Sequence, residues 1–171
     1  MKVIDRFLSE KEFERLKSEM MAYNFQWHMS KIVDDNEANK ARNMQFIHMF
    51  YERHAPVDDS VNMLFPILQR LQPIALLSIK ANLMPGQDRI IEHGMHIDIT
   101  DIKDNPWIRT GILYMNTCDG YTKFEDDTKI ESVENRFVSF PHSTRHTGTT
   151  CTNMEFRMVI NFNYVVSDSQ E

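Results

Sequence analysis

His96-Ile97-Asp98 places an imidazole and a carboxylate two residues apart. On an extended strand such residues project to the same side, so both could occupy neighbouring positions on one metal ion. A second imidazole is available from Phe140-Pro141-His142-Ser143-Thr144-Arg145-His146-Thr147-Gly148, in which His142 and His146 compete. His146, followed by Thr-Gly and a return strand, suits an approach to an interior, whereas His142, directly after Pro141, reads as a loop residue. Two imidazoles and one carboxylate form the ligand set of a facial iron site with open coordination positions. Arg157 adds a permanent cation with a planar fork, suited to gripping a carboxylate through two parallel hydrogen bonds. Taken together, these residues predict oxygen chemistry at Fe(II) with a dicarboxylic co-substrate.

Each piece has a plainer explanation. With 7 histidines and 13 aspartates in 171 residues, a His-x-Asp arises by chance about half a time per chain. A lone histidine most often sits on an edge or loop. His93 is close by, but at three residues before His96 an extended strand would point it away from the same face. Arg157 has 25 acidic residues as candidate salt-bridge partners; without one, a buried guanidinium requires an anionic ligand. No Gly-rich phosphate loop, Gly-x-Ser-x-Gly elbow or His-Glu-x-x-His occurs, so those chemistries have no support.

The elements that must position these residues follow from local patterns. Ser9-Glu10-Lys11-Glu12 has the form of a capping box, and Phe13, Leu16 and Met20 recur behind it at helical spacing, predicting an amphipathic helix over 10–22. A second helix fits 58–71, with Val61, Leu64, Leu68 and Leu71 on one face and Pro66 positioned to bend or split it. Strands are predicted over 25–29, 44–50, 76–84, 93–99, 108–115, 121–124, 136–140 and 155–165. In 155–165, Phe156, Met158, Ile160, Phe162 and Tyr164 form an apolar row; Arg157, Val159, Asn161 and Asn163 form the opposite, mostly polar face. In 77–84 the rows are Leu77, Ile79, Ala81, Leu83 and Ser78, Lys80, Asn82. The apolar rows suit burial against the helices, and the polar rows suit the lining of a cavity. Helices followed by many short strands predict a mainly β protein, with helices packed on a curved antiparallel sheet or barrel.

The length of 171 residues fits one domain, 1–171, with helical and strand support over 1–75 and a barrel over about 76–165. The net charge of −6 argues against a protein held on nucleic acid by phosphate neutralisation. No apolar run is long enough to span a bilayer and the N-terminus has no signal-peptide pattern, so a cytoplasmic, membrane-free setting is expected. Cys118 and Cys151 read as ordinary buried thiols rather than a disulfide or a zinc pair. The acidic run Glu125-Asp126-Asp127 reads as a solvated hairpin turn.

The segments EHGMHID, GILYMNTCDGYTKFED, NRFVSFPHSTRHTG and FRMVINFNY together resemble the Fe(II)- and 2-oxoglutarate-dependent oxygenases. The branch they are most similar to is the short prolyl-4-hydroxylase-like domains, which include forms encoded by tailed phages. The likeness covers about residues 79–164 and rests on an ordered set of motifs. It implies a double-stranded β-helix, a jelly-roll or cupin-like barrel flanked by helices. It assigns the metal ligands to His96, Asp98 and, as the histidine before Thr-Gly, His146. It places the far carboxylate of 2-oxoglutarate on Arg157, where many prolyl hydroxylases carry lysine, with Tyr114 as a helper and Asn82 and Asn163 as further pocket residues. The implied cofactors are Fe(II), 2-oxoglutarate as co-substrate and O2, with ascorbate as an accessory reductant. The implied reaction is C–H hydroxylation with release of succinate and CO2. Its expected substrate is a prolyl residue of a peptide or protein in the cytoplasm, that of the host for a phage protein. Nucleic-acid demethylases of the superfamily resemble Arg-x5-Arg at the last strand; the position six after Arg157 is Asn163, which argues against that role. The alternatives are a non-catalytic cupin-like binding domain, an oxygenase acting on a small molecule or nucleotide, and a zinc hydrolase. The loop 101–109 could cover the site, with Trp107 either touching substrate or lying in the core.

Overall fold

The computed structural model describes residues 1–32, 34 and 36–167. In chain order it contains β1 (Lys2–Ile4), α1 (Glu10–Met20), β2 (His28–Lys31), β3 (Met44–Glu52), β4 (Ala55–Pro56) and α2 (Phe65–Leu71). There follow β5 (Ala75–Pro85), β6 (Ile108–Tyr114), β7 (Tyr121–Phe124), β8 (Lys129–Glu131), β9 (Phe137–Pro141), β10 (His146–Gly148) and β11 (Phe156–Val165). Short 3₁₀ helices occupy Glu37–Arg42 and Asp59–Leu64.

The capping box at α1 is formed. Ser9 Oγ accepts from the Glu12 N–H at 3.4 Å, and Glu12 Oε2 accepts from the Ser9 N–H at 3.0 Å. Phe13, Leu16 and Met20 are its buried face, as their spacing predicts. The helix stops at Met20 rather than 22 because the chain tightens there: the Ala22 N–H bonds the Glu19 carbonyl in an i→i+3 turn. The segment 58–71 is divided at Pro66. Its missing N–H cannot continue the preceding turn, so the 3₁₀ helix Asp59–Leu64 ends and α2 starts with proline in its first turn.

Two antiparallel sheets face one another. The larger has the order β1-β9-β6-β11-β5-β3-β2, with β4 on β3; the smaller has the order β10-β7-β8. This is the curved antiparallel arrangement that the strand pattern predicts and the jelly-roll that the resemblance implies, with both helices on the outer face of the larger sheet. Alternation along β11 sorts the two environments. Met158, Ile160, Phe162 and Tyr164 join Phe13, Leu16, Met20, Leu64 and Ile67 in the outer core. Val159 packs instead with Ile112, Tyr114, Phe124, Val138 and Phe140 between the sheets. In β5 a register shift opposite Asn163/Tyr164 pairs Tyr164 with Leu76, so Leu76, not Leu77, joins Ile79 and Ala81 on the helical side.

Two sequence expectations need correction, and four short strands go unpredicted. The strand at 25–29 begins at His28, and 93–99 is not a strand at all but is held by isolated bridges. Strands β1, β4, β8 and β10, of two to three residues, are too short to show an alternating pattern. Cys118 and Cys151 are free and buried, as expected, and Glu125-Asp126-Asp127 is the exposed turn of the β7–β8 hairpin. No helix among the described residues is long and apolar enough to cross a membrane.

At Gly111 on β6, a Cβ would lie 2.4 Å from Phe137 Cζ and 3.3 Å from Tyr164 Cε1. Gly111→Ala is therefore expected to cost about 1–3 kcal/mol by overpacking, read as a lower urea midpoint with unchanged slope.

Candidate functional site

His96 and His146 face each other on a single two-bond bridge: the His96 N–H donates to the His146 carbonyl at 3.0 Å and the reverse bond is 2.9 Å. Because β10 belongs to the smaller sheet, the bridge fastens the irregular segment around His96 to that sheet's edge. Asp98 then turns inward, with Oδ1 at 3.5 Å from His96 Nε2 and 3.8 Å from His146 Nε2. Among the described residues these three form the only group of three His, Cys, Asp or Glu side chains close enough to share an ion.

The remaining atoms of the triad are engaged in a way that leaves the correct ones free. His96 Nδ1 lies 2.9 Å from the Gly94 carbonyl and His146 Nδ1 lies 3.1 Å from the Thr144 carbonyl. A carbonyl only accepts, so each Nδ1 carries a proton and, in the neutral ring that a metal would bind, each Nε2 presents a lone pair. Asn163 Nδ2 donates to Asp98 Oδ2 at 3.4 Å, turning Oδ1 toward the histidines. The same amide donates to Ser78 Oγ at 3.1 Å, and Asn163 Oδ1 accepts from Thr110 Oγ1 at 2.8 Å. Such supporting bonds are what metal ligands require to hold orientation.

Charge is also balanced toward a cation. Burial pushes the Asp98 carboxyl up, but the His96 hydrogen bond and the charges of His146, His96 and Lys80 hold it at about 2. His96 is shifted upward, chiefly by its bond to Asp98, while burial moves His146 downward. At neutral pH the carboxylate is ionised and has two imidazoles beside it. The donor set of two nitrogens and one carboxylate oxygen suits a first-row divalent metal with open positions, so these residues fit a ferrous ion.

Arg157 lies on the same cavity, whose free volume is about 90 Å³. It is 1 % exposed and makes no ion pair with a carboxylate among the described residues. Its Nε donates to Ser132 Oγ at 2.6 Å and its Nη2 to Thr122 Oγ1 at 3.1 Å. The Tyr114 ring lies 5.5 Å from the guanidinium carbon, and the Tyr114 hydroxyl donates to Thr122 Oγ1 at 2.8 Å. Thr122, already accepting from two groups, has its own hydroxyl proton left to donate into the cavity it lines. Gly120 makes room for this arrangement, because a Cβ there would stand 2.6 Å from Arg157 Cδ and 2.8 Å from the Thr150 carbonyl.

The structure thus brings His96, Asp98, His146, Arg157 and Asn82 to one cavity. Tyr114 is packed behind the guanidinium, and Asn163 behind Asp98; neither is on the cavity wall. His142 is elsewhere, its Nε2 accepting from the Asn105 N–H at 3.1 Å. Trp107 is exposed and joins neither the core nor the cavity. His93 does line the cavity, contrary to the parity expectation, because 92–96 lacks the regular pleat on which parity depends. Lys80 lines the cavity as its place in the polar row of β5 predicts; Thr122 and Ser132 have no such place in the sequence reading. For Thr122 a signal existed, since alternation in β7 puts Thr122 and Phe124 inward.

The sequence matches no protein-family model, and no curated protein matches it. Solved structures do. The viral collagen prolyl hydroxylase from Paramecium Bursaria Chlorella virus-1, as its 2-oxoglutarate complex, is 19% identical with a TM-score of 0.56, over 97% of this chain and 96% of that one. The Trichoplax adhaerens prolyl hydroxylase bound to a hypoxia-inducible-factor peptide is 12% identical with a TM-score of 0.64, over 96% and 82%. The epimerase SnoN, with Fe3+, alpha-ketoglutarate and nogalamycin RO, is 9% identical with a TM-score of 0.66, over 95% and 77%. The protein therefore has the double-stranded β-helix fold of the 2-oxoglutarate- and iron-dependent oxygenases.

Proposed function

We propose that the protein is a 2-oxoglutarate-dependent oxygenase using ferrous iron, and that it hydroxylates a C–H bond of a peptide or protein, with a prolyl residue as the target. The observation that carries the reading is a buried arginine without an acidic partner among the described residues, in the same cavity as a two-histidine, one-carboxylate triad. A guanidinium so enclosed is costly unless a ligand supplies the anion.

His96, Asp98 and His146 would hold the iron through Nε2, Oδ1 and Nε2. Arg157 and the Thr122 hydroxyl would bind the far carboxylate of 2-oxoglutarate, fixing its length between guanidinium and metal. Ile32, Met84, Ile112 and Val159 form the apolar part of the wall. When bound, the metal and co-substrate would supply the oxidative chemistry, in which O2 gives one oxygen atom to the succinate formed as 2-oxoglutarate loses CO2 and the other to the substrate C–H bond. The protein's share is orientation and exclusion of side reactions. For the substrate, support comes from the two similar prolyl hydroxylases, one with a peptide in place. The likeness to SnoN, bound to nogalamycin RO, makes a small-molecule substrate the alternative to be screened in parallel.

The test is an anaerobic titration of the Fe(II)-loaded protein with 2-oxoglutarate, watching for a visible metal-to-ligand charge-transfer band. The band is expected for the wild type and is expected to vanish in His96→Ala. Iron bound without a band would refute chelation and indicate a non-catalytic barrel.

A further inference from the structure

His93 belongs neither to the metal triad nor to the arginine clamp, yet its side chain is only 1 % exposed. Its Nδ1 faces Asp34 Oδ2 at 3.3 Å, and since a carboxylate only accepts, Nδ1 carries the proton. Asp34 is itself fixed, accepting from the Asn36 N–H at 2.9 Å and from Asn39 Nδ2 at 2.9 Å. The His93 N–H donates to the Gly148 carbonyl at 3.3 Å, and Gly148 is the residue lying against Arg157 Nη1. This places the ring on the wall of the cavity beside the guanidinium. The second ring nitrogen, Nε2, is buried and has no hydrogen-bond partner among the described residues. Buried polar atoms are rarely left so, and because His93 is among the residues lining the cavity, an occupant of that cavity is the candidate partner.

We propose that His93, oriented by Asp34, is a second anchor for the anionic co-substrate, donating from Nε2 to a carboxylate oxygen of the dicarboxylate that Arg157 binds. The assignment rests on the reading of this cavity as a 2-oxoglutarate site. With Nδ1–H committed to Asp34, donation from Nε2 requires the imidazolium form, so ligand binding takes a proton from solvent. The groups acting on the ring are Asp34, which favours the proton, and Arg157 and His96, which oppose it. In the ligand-free cavity burial prevails and holds His93 below its ordinary value. A carboxylate arriving beside Nε2 reverses that balance. The ligand-bound ring is then the one with the raised pKa, so affinity is greatest at low pH and falls as pH rises through that value.

The experiment is calorimetric titration of the full chain, loaded with redox-inert Mn(II), with 2-oxoglutarate near neutral pH in two buffers of different ionisation enthalpy. Wild type is expected to take up close to one proton per ligand bound. His93→Phe and Asp34→Asn are expected to bind at least roughly tenfold more weakly and without proton uptake, the loss of one charge-assisted hydrogen bond. Wild-type binding without proton uptake, or both variants binding as wild type does, would overturn the proposal. Should His93→Phe fail to fold, Asp34→Asn and the wild-type proton count decide, because the amide still accepts from Nδ1–H while lacking the charge. A wild type that binds no 2-oxoglutarate at all would overturn the oxygenase reading itself, a result distinct from the loss of His93's part in it.

Discussion

Arg157→Met is expected to leave the ligand-free protein at least as stable as the parent while weakening 2-oxoglutarate binding by about 2–4 kcal/mol. Those two effects normally do not separate. They separate here because the guanidinium is fully enclosed, and its protein contacts are the hydroxyls of Ser132 and Thr122 and the face of Tyr114. A buried charge without a counter-ion lowers stability, and an apolar side chain of similar length removes that cost. Leaving Ser132 and Thr122 without their donor works against the gain, so the net change should lie between zero and a modest increase. A thermal melt of the apoprotein and a 2-oxoglutarate titration of the Mn(II) form would check both halves. A large loss of stability would mean that Arg157 has a structural role, and unchanged affinity would remove it from the ligand site.

Asp98→Asn is expected to abolish 2-oxoglutarate turnover and to weaken Mn(II) binding by at least about a hundredfold, because it deletes the only anionic donor of the triad while preserving its shape. Asn163 and the two imidazoles remain in place to support the amide. The fold should persist, so circular dichroism should be unchanged where metal titration fails. Retained turnover would show that the metal, if needed, sits elsewhere.

Much of the site was legible because its residues lie on long, regular strands. Arg157 and the apolar row of β11 follow from simple alternation over ten residues, and Asn82 follows in the same way on β5. His96, Asp98 and His93 are a different case. They occupy an irregular stretch pinned by bridges, where parity has no hold, so the expected convergence of His96 and Asp98 arises from the His146 bridge and not from a shared strand face. The choice between His142 and His146 could not be made from spacing. What decides it is which of the two lies opposite His96 across the sheet edge. Thr122 and Ser132 contribute single hydroxyls from separate segments, and Asp34 reaches His93 over 59 residues of chain. Pairings so distant leave no local pattern, and only the folded topology creates them.

The His96–His146 bridge has a consequence for the chain as a polymer. Between Pro85 and Ile108 the polypeptide has no regular strand and is tied back by scattered backbone bonds, among them the isolated pairings at Glu92–Thr149 and His96–His146. An ion held by Asp98, His96 and His146 would act there as a cross-link, closing a loop of about fifty residues in any partly unfolded state. Closing a loop of that length removes a substantial part of the unfolded chain's freedom. Metal loading would then bias the order of unfolding, so that the long excursion above the barrel mouth is released with the barrel and not before it.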